Sequence, residues 1–361
     1  IRRPPRSTLS SSSAASDVYK RQDMNTINLA VDCMGSETSL YEILEGINES
    51  ALRNENLFFT LFGKSVDLNK IVENIHPLNA RSKIINCDEQ VLMTDKPTDA
   101  IRLKKNSSMQ LSIDHVASGK SNAVLSCGNT GALMAISLLK LRTVASIKRP
   151  SIASIWPNIK GESIVLDLGA NIKNDTNSLI DNAILGSALA KVLFSVTEPT
   201  VGLLNIGIED MKGNENVQKA SEILSEMSNK KQLNYYGFVE GADISNGITN
   251  VIVTDGFTGN IALKTAEGTA SMVQSYFKKA FESSILSKLG YFFASLSLTS
   301  VKQRLDPRVH NCGIFMGLTA PVVKCHGKSD RLGISYATDI AYSLVHKEVN
   351  KKVENILINE I

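Results

Sequence analysis

The sequence predicts an α/β fold with a mainly parallel sheet flanked by helices. Three observations carry that prediction. Short β-branched and aromatic runs recur along the chain, and amphipathic stretches of helical period separate them. Several runs also end in a small-residue turn that opens the next helical stretch.

Taken in order, INLAVDC (27–33) alternates apolar and small residues as a buried strand does, and Ser39–Asn54 follows with helical spacing. LFFTLFG (57–63) and KIINCD (83–88) are the next strands, and Asp99–Ser118 reads as one helix. AVLSCG (123–128) runs into CGNTG and a helix over Gly131–Leu141. SIVLDLG (163–169) precedes LGAN and a helix over Ser178–Phe194. TVGLLNIG (200–207) leads through NIGIEDMKGNE to a helix over Asn214–Ser228. NYYGFVE (234–240) and NVIVTDG (250–256) complete the strands, and DGFTGN opens a helix over Asn260–Ser283. In open parallel sheets ligands bind beyond the carboxyl ends of strands. The glycine-bearing loops are therefore expected at one sheet edge, where helix N-termini offer amides to an anion.

The chain has 361 residues, 43% hydrophobic and 21% charged, a globular composition that excludes a disordered or collagen-like chain. Its net charge is +3. Residues 1–23 hold five bases (Arg2, Arg3, Arg6, Lys20, Arg21) and two acids (Asp17, Asp23). From Met24 on, bases and acids therefore balance, and net charge gives no support for nucleic-acid binding. The leader lacks the apolar run of a secretory signal. It is Arg- and Ser-rich, as transit peptides are, and also reads like translated sequencing-adapter sequence. The expectation is a non-native, disordered leader over 1–23 and a single α/β domain over 24–361.

Cys33, Cys87, Cys127, Cys312 and Cys325 show no CxxC spacing, and the five histidines show no HExxH pair. No metal site and no cofactor are expected, and reduced thiols point to a cytoplasmic protein. GxxxxGK[ST] and GxGxxG do not occur, which lowers the case for an ATPase or a dinucleotide dehydrogenase.

Residues 285–305 stand apart, because the thirteen from Leu289 to Val301 carry no charge. That is too short to span a bilayer. Leu286, Leu289, Phe293 and Leu296 share a helical face with Phe292 beside them, flanked by Lys288 and Lys302. Such a helix fits a membrane interface, a buried position or a dimer contact equally.

Three loops carry candidate chemistry. In Asn205–Glu215, Lys212 supplies a mobile positive charge, with Asn205, Gly213 and Asn214 around it at a helix start. In Thr254–Asn260, Asp255, Gly259 and Asn260 sit at a strand-to-helix corner suited to an oxyanion or to capping. In Ser126–Gly131, Asn129, Thr130 and the Gly131 amide are better anion contacts than Cys127, which reads as a small buried hydrophobe.

Seven motifs then occur in order: AVDCMG, KPTDAIRLKKNSSM (96–109), SCGNTGALMA (126–135), LDLGAN (166–171), LLNIGIEDMKGNE (203–215), VTDGFTGNIALKTAEG (253–268) and VVKCHGKSD (322–330). Together they resemble the bacterial phosphate acyltransferase family of phospholipid synthesis, over essentially Asn28 to Val345. The resemblance implies transfer of a fatty acyl group from acyl carrier protein to inorganic phosphate, giving acyl phosphate. It implies a fold like isocitrate/isopropylmalate dehydrogenases and phosphotransacetylase, and a homodimer. It implies peripheral membrane attachment through a helical tip, here about 270–308, and a downstream glycerol-3-phosphate acyltransferase that consumes the product. The family's important lysine and asparagine fall on Lys212 and Asn260. Asn171 and His326 join the expected phosphate contacts, although His326 also reads as an ordinary turn histidine. Arg102, Lys104 and Lys105 are candidates for docking the acidic carrier, or equally a solvated helix face. Two departures stand out. Gly35-Ser36-Glu37 replaces the family's Gly-Gly-Asp, and Ile172-Lys173 reverses the charge of the acid usual after LGAN. The rival readings are a phosphotransacetylase using acyl-coenzyme A, a metal-dependent dehydrogenase, and a non-catalytic membrane adaptor.

Overall fold

The computed structural model describes residues 26–144, 147–171, 174–304, 306 and 312–359, with backbone only for 296–304 and 359. The leader and the Ile172-Lys173 departure lie outside the described residues.

Eleven strands form one sheet in the order β3-β2-β1-β4-β11-β10-β5-β6-β9-β7-β8. They are β1 Ile27–Asp32, β2 Leu57–Gly63, β3 Ser82–Asn86, β4 Ala123–Ser126, β5 Ser151–Asn158, β6 Gly161–Leu166, β7 Thr200–Leu204, β8 Asn234–Val239, β9 Val251–Val253, β10 Cys312–Met316 and β11 Val322–Cys325. The helices are α1 Leu40–Arg53, α2 Ser65–Val72, α3 Pro97–Leu103, α4 Ser108–Ala117, α5 Thr130–Leu141, α6 Thr176–Phe194, α7 Glu215–Asn229, α8 Gly241–Asn246, α9 Gly256–Glu282, α10 Ile285–Arg304, α11 Arg331–His346 and α12 Val349–Asn359.

The sheet is parallel in two blocks. β3, β2, β1, β4 and β11 run one way. β10 is antiparallel to β11 and to β5, and β5 is antiparallel to β6. β6, β9, β7 and β8 therefore run opposite to the first block. This corrects the expectation that all glycine loops share one edge. The loops after β1 and β4 leave one edge, and those after β6, β7 and β9 leave the other. The reason lies in β5, β10 and β11, three strands that the periodicity reading passed over. β5 contains Pro157, β10 contains Gly313, and β11 has four residues, so none presents a long β-branched run.

Strand alternation feeds two cores. Leu29 and Val31 belong to the core that α1, α6 and α11 also line, while Ala30 and Val124 belong to the core shared with α4 and α5. The expected single helix over 99–118 is two, because Lys104 leaves helical geometry and Ser107 caps α4 through the Gln110 amide.

Candidate active site

A cleft of about 280 Å³ opens over the β11–β10–β5 region. Its walls include Thr130, Asn260, Lys264, Lys324, His326, Lys328 and Glu37, with Ile152, Leu168 and Leu263 as apolar lining. Among the expected site residues, Thr130, Asn260 and His326 meet here.

The placement of Asn260 begins with Asp167. This buried carboxylate, one residue past β6, accepts the Gly169, Ala170 and Asn171 amides at 3.1, 2.8 and 2.9 Å. The Asn171 side chain adds a bond at 2.9 Å and donates to the Pro150 carbonyl at 3.1 Å. Burial pushes the Asp167 carboxyl above the usual carboxylate range, against the pull of those amides. The LGAN turn so built receives the first turn of α9. The Gly256 amide bonds the Asn171 carbonyl at 3.0 Å. A Cβ on Gly259 would lie 2.0 Å from the Asp167 carbonyl, so only glycine permits this approach. Asp255 caps the helix, accepting the Thr258 amide and hydroxyl at 2.9 and 2.7 Å. Asn260 follows on the next residue, packed over Gly169. Asn171, Asp255 and Gly259 thus build the corner.

On the opposite side, Asn129 caps α5 through the Ala132 amide at 3.0 Å. Its amide nitrogen donates to the Leu92, Met93 and Asp95 carbonyls at 3.2, 3.0 and 2.9 Å. The side chain is engaged in these bonds, and it is Thr130 that lines the cleft at this helix start, while Gly131 is not among the lining residues. Cys127 is buried, as its small-hydrophobe reading anticipates.

His326 is half-buried. Its Nε2 lies 3.3 Å from the Lys264 ammonium, and its Nδ1 receives the Lys328 amide at 3.3 Å. Burial first, then the Lys264 charge, lowers its pKa below the ordinary 6.5. Lys264 also pairs with Glu267 at 2.7 Å, and Lys328 with Glu37 at 3.5 Å.

The Lys212 loop lies elsewhere. It leaves β7, beside β9, and its lysine is exposed and outside the cleft lining. Asn205 pins it, donating to the Lys212 carbonyl at 3.0 Å. Gly213 takes φ +93° against the Asn205 side chain, and Asn214 caps α7 through the Val217 amide at 3.1 Å. Lys104 is committed to an ion pair with Asp95.

Sequence reasoning did not single out three buried charges, Asp32, Asp167 and Lys324. The signal was available, since each is a lone charge in or beside a buried apolar strand, a placement that charged residues avoid unless paired. Among the described residues no group of three or more His, Cys, Asp or Glu could hold a metal ion.

The fold belongs to a class of α/β proteins with a mostly parallel sheet flanked by helices, as comparison with solved structures indicates. The chain superposes on a phosphotransacetylase from Streptococcus pyogenes with a TM-score of 0.59 at 16% identity, covering 95% of this chain and all of that one. A 4-hydroxythreonine-4-phosphate dehydrogenase from Klebsiella pneumoniae gives 0.51 at 12%, covering 89% and 98%. At such identities the likeness concerns the fold. Sequence goes further. Residues 27–352 match the family described as fatty acid synthesis protein. The phosphate acyltransferase of Azorhizobium caulinodans is 43% identical over 93% of this chain and 94% of its own length. That of Methylocella silvestris is 45% identical over 92% and 90%. The chain belongs to the phosphate acyltransferase family.

Proposed function

We propose that this acyltransferase takes a fatty acyl group from acyl carrier protein and transfers it to inorganic phosphate, releasing acyl phosphate for phospholipid synthesis. The observation that carries the reading is a cleft in which Asn260 and Thr130 converge with three lysines. A phosphate oxygen attacks the thioester carbonyl. The C–O bond forms, the C–S bond breaks, and the electron pair leaves on the carrier thiolate. Phosphate is itself a competent nucleophile, so positioning and electrostatics supply the acceleration without a covalent enzyme intermediate.

In this reading Asn260 donates to the developing oxyanion or to phosphate. Thr130 and the Gly131 amide hold phosphate at the start of α5, and Asn129, Asn171, Asn205, Gly213, Asn214, Asp255 and Gly259 support the phosphate-holding loops. His326 takes the proton that hydrogen phosphate sheds as its oxygen attacks and passes it to the departing thiolate. Lys212 brings a mobile positive charge to phosphate or the tetrahedral intermediate. What supports its role is a backbone pinned on the same sheet edge from which α9 starts. The active unit is a homodimer. A helical tip on α9 and α10 touches the membrane peripherally, and a glycerol-3-phosphate acyltransferase consumes the product.

The test is acyl phosphate formation by the purified chain from palmitoyl-carrier protein and phosphate, with no added nucleotide or metal. Product from acyl-coenzyme A alone would favour the phosphotransacetylase reading, and no product from either donor would favour an adaptor. Lys212→Ala is expected to lose most of kcat/KM while folded; retention of activity removes Lys212 from the mechanism.

A further inference from the structure

Four residues form a row across the sheet. Asp32 on β1 is in register with Ser126 on β4, Ser126 with Lys324 on β11, and Lys324 with Gly313 on β10. In-register neighbours project from the same sheet face, here the one that carries α4 and the cleft. Lys324 is 6% exposed and lines the cleft.

A buried ammonium needs compensation, because desolvating an ion costs several kcal/mol. The carboxylate in the same row is Asp32, two strands away, and its oxygens are engaged elsewhere. Oδ1 accepts the Ser108 hydroxyl at 2.5 Å and the Met34 amide at 3.3 Å, and Oδ2 accepts the Ser126 hydroxyl at 2.7 Å. Among the described residues no ion pair within 4 Å includes Lys324, whereas the other two lysines of the cleft each have a carboxylate. The Lys324 ammonium donates to the adjacent Cys325 carbonyl, and an ammonium has three donors. Gly313, next in the row, keeps the floor open. A Cβ there would stand 2.8 Å from Ile152 Cγ2 and 3.8 Å from Lys324 Cβ. Burial lowers the Lys324 pKa below the ordinary lysine value.

We infer that Lys324 is the anion-receiving cation at the floor of the cleft, and that its ligand is a tetrahedral phosphoryl oxyanion, either inorganic phosphate or the phosphoryl end of the acyl phosphate. The inference rests on the proposed placement of phosphate transfer in this cleft and adds a binding residue to it. Asp32 then acts at a distance, favouring the charged lysine without neutralising it by contact.

The experiment is direct binding of inorganic phosphate at constant ionic strength, by calorimetry and by the phosphate-dependent rise in Tm. The full chain is compared with Lys324→Met and Lys324→Gln. Loss of one charged hydrogen-bond donor is expected to weaken phosphate binding about tenfold or more. In turnover the KM for phosphate rises while the KM for acyl carrier protein holds within about twofold. A non-hydrolysable acyl phosphonate separates the two ligands, because equal loss for phosphate and phosphonate assigns both to Lys324. If neither variant folds, acetylation of Lys324 in the wild-type chain serves instead, and phosphate is expected to protect it. The inference is overturned by wild-type levels of phosphate binding in either variant, by no phosphate binding to the wild type, or by labelling that phosphate leaves unchanged. Absence of acyl phosphate production alone overturns the catalytic reading and leaves the binding result to stand.

Discussion

The Lys264 ammonium lies 3.3 Å from Nε2 of His326, although α9 and β11 end their adjoining loops at opposite edges of the sheet. Nδ1 of the same ring faces the Lys328 amide at 3.3 Å. A neutral imidazole has one lone pair, so only one of these contacts is a hydrogen bond at a time. The other nitrogen carries its proton toward a donor, and that proton is available to a ligand entering the cleft.

From this follows a pH dependence of defined sign. The His326 pKa is lowered from 6.5 in the folded chain, so the folded state binds this proton less readily than the unfolded state. The contribution to stability is whole above pH 6.5 and is lost as pH falls through the lower folded value. Turnover that needs neutral imidazole declines over the same acid range. Lys264→Met removes one depressing charge, so His326 is expected to titrate at higher pH, read from its imidazole resonances by NMR. An unchanged titration would show that the Lys264 charge does not set the value.

Gly259→Ala tests the corner that carries Asn260. The new Cβ would meet the Asp167 carbonyl at 2.0 Å, and backbone cannot swing away as a flexible side chain can. Overpacking of this kind costs about 1–3 kcal/mol or more. The first turn of α9 is expected to shift, taking Asn260 with it, so kcat/KM falls by about tenfold or more. Urea unfolding and steady-state kinetics measure the two effects separately.

Asp167→Ala is expected to destabilise the chain by about 2–4 kcal/mol, because it strands the amides of the LGAN turn. Asp167→Asn retains one acceptor oxygen and is expected to cost less. Equal urea midpoints for alanine variant and wild type would show that the turn holds without its carboxylate.

The parts legible in sequence share a physical cause. Strands such as 57–63 and 123–126 are apolar because both faces are buried, and the glycines of 256–259 mark true backbone contacts. What was illegible is non-local. The direction of the second parallel block depends on β10 and β5, and no residue in the LGAN or DGFTGN loops encodes which edge its strand will face. Lys324 was visible only as a letter in VVKCHGKSD. Its meaning required the in-register row with Ser126 and Asp32, which pairs residues nearly 300 positions apart. The leader and Lys173 fall outside the described residues, as does the Leu296 side chain.

The apolar tip is the last reading open to test. Leu286, Leu289, Phe292 and Phe293 on α10 are all exposed, Phe293 at 81%. Among the described residues no helix is long and apolar enough to cross a membrane. An exposed cluster of this kind marks an interaction surface, and two occupants compete for it, a lipid interface or a second copy of the chain. Burying a phenylalanine side chain is worth about 1.5–3 kcal/mol, so Phe293→Asp is expected to weaken partition onto anionic liposomes by at least about tenfold. Turnover with soluble acyl-carrier protein should persist if lipid is the occupant. If instead sedimentation equilibrium shows that the variant loses self-association while liposome binding holds, the face belongs to the dimer.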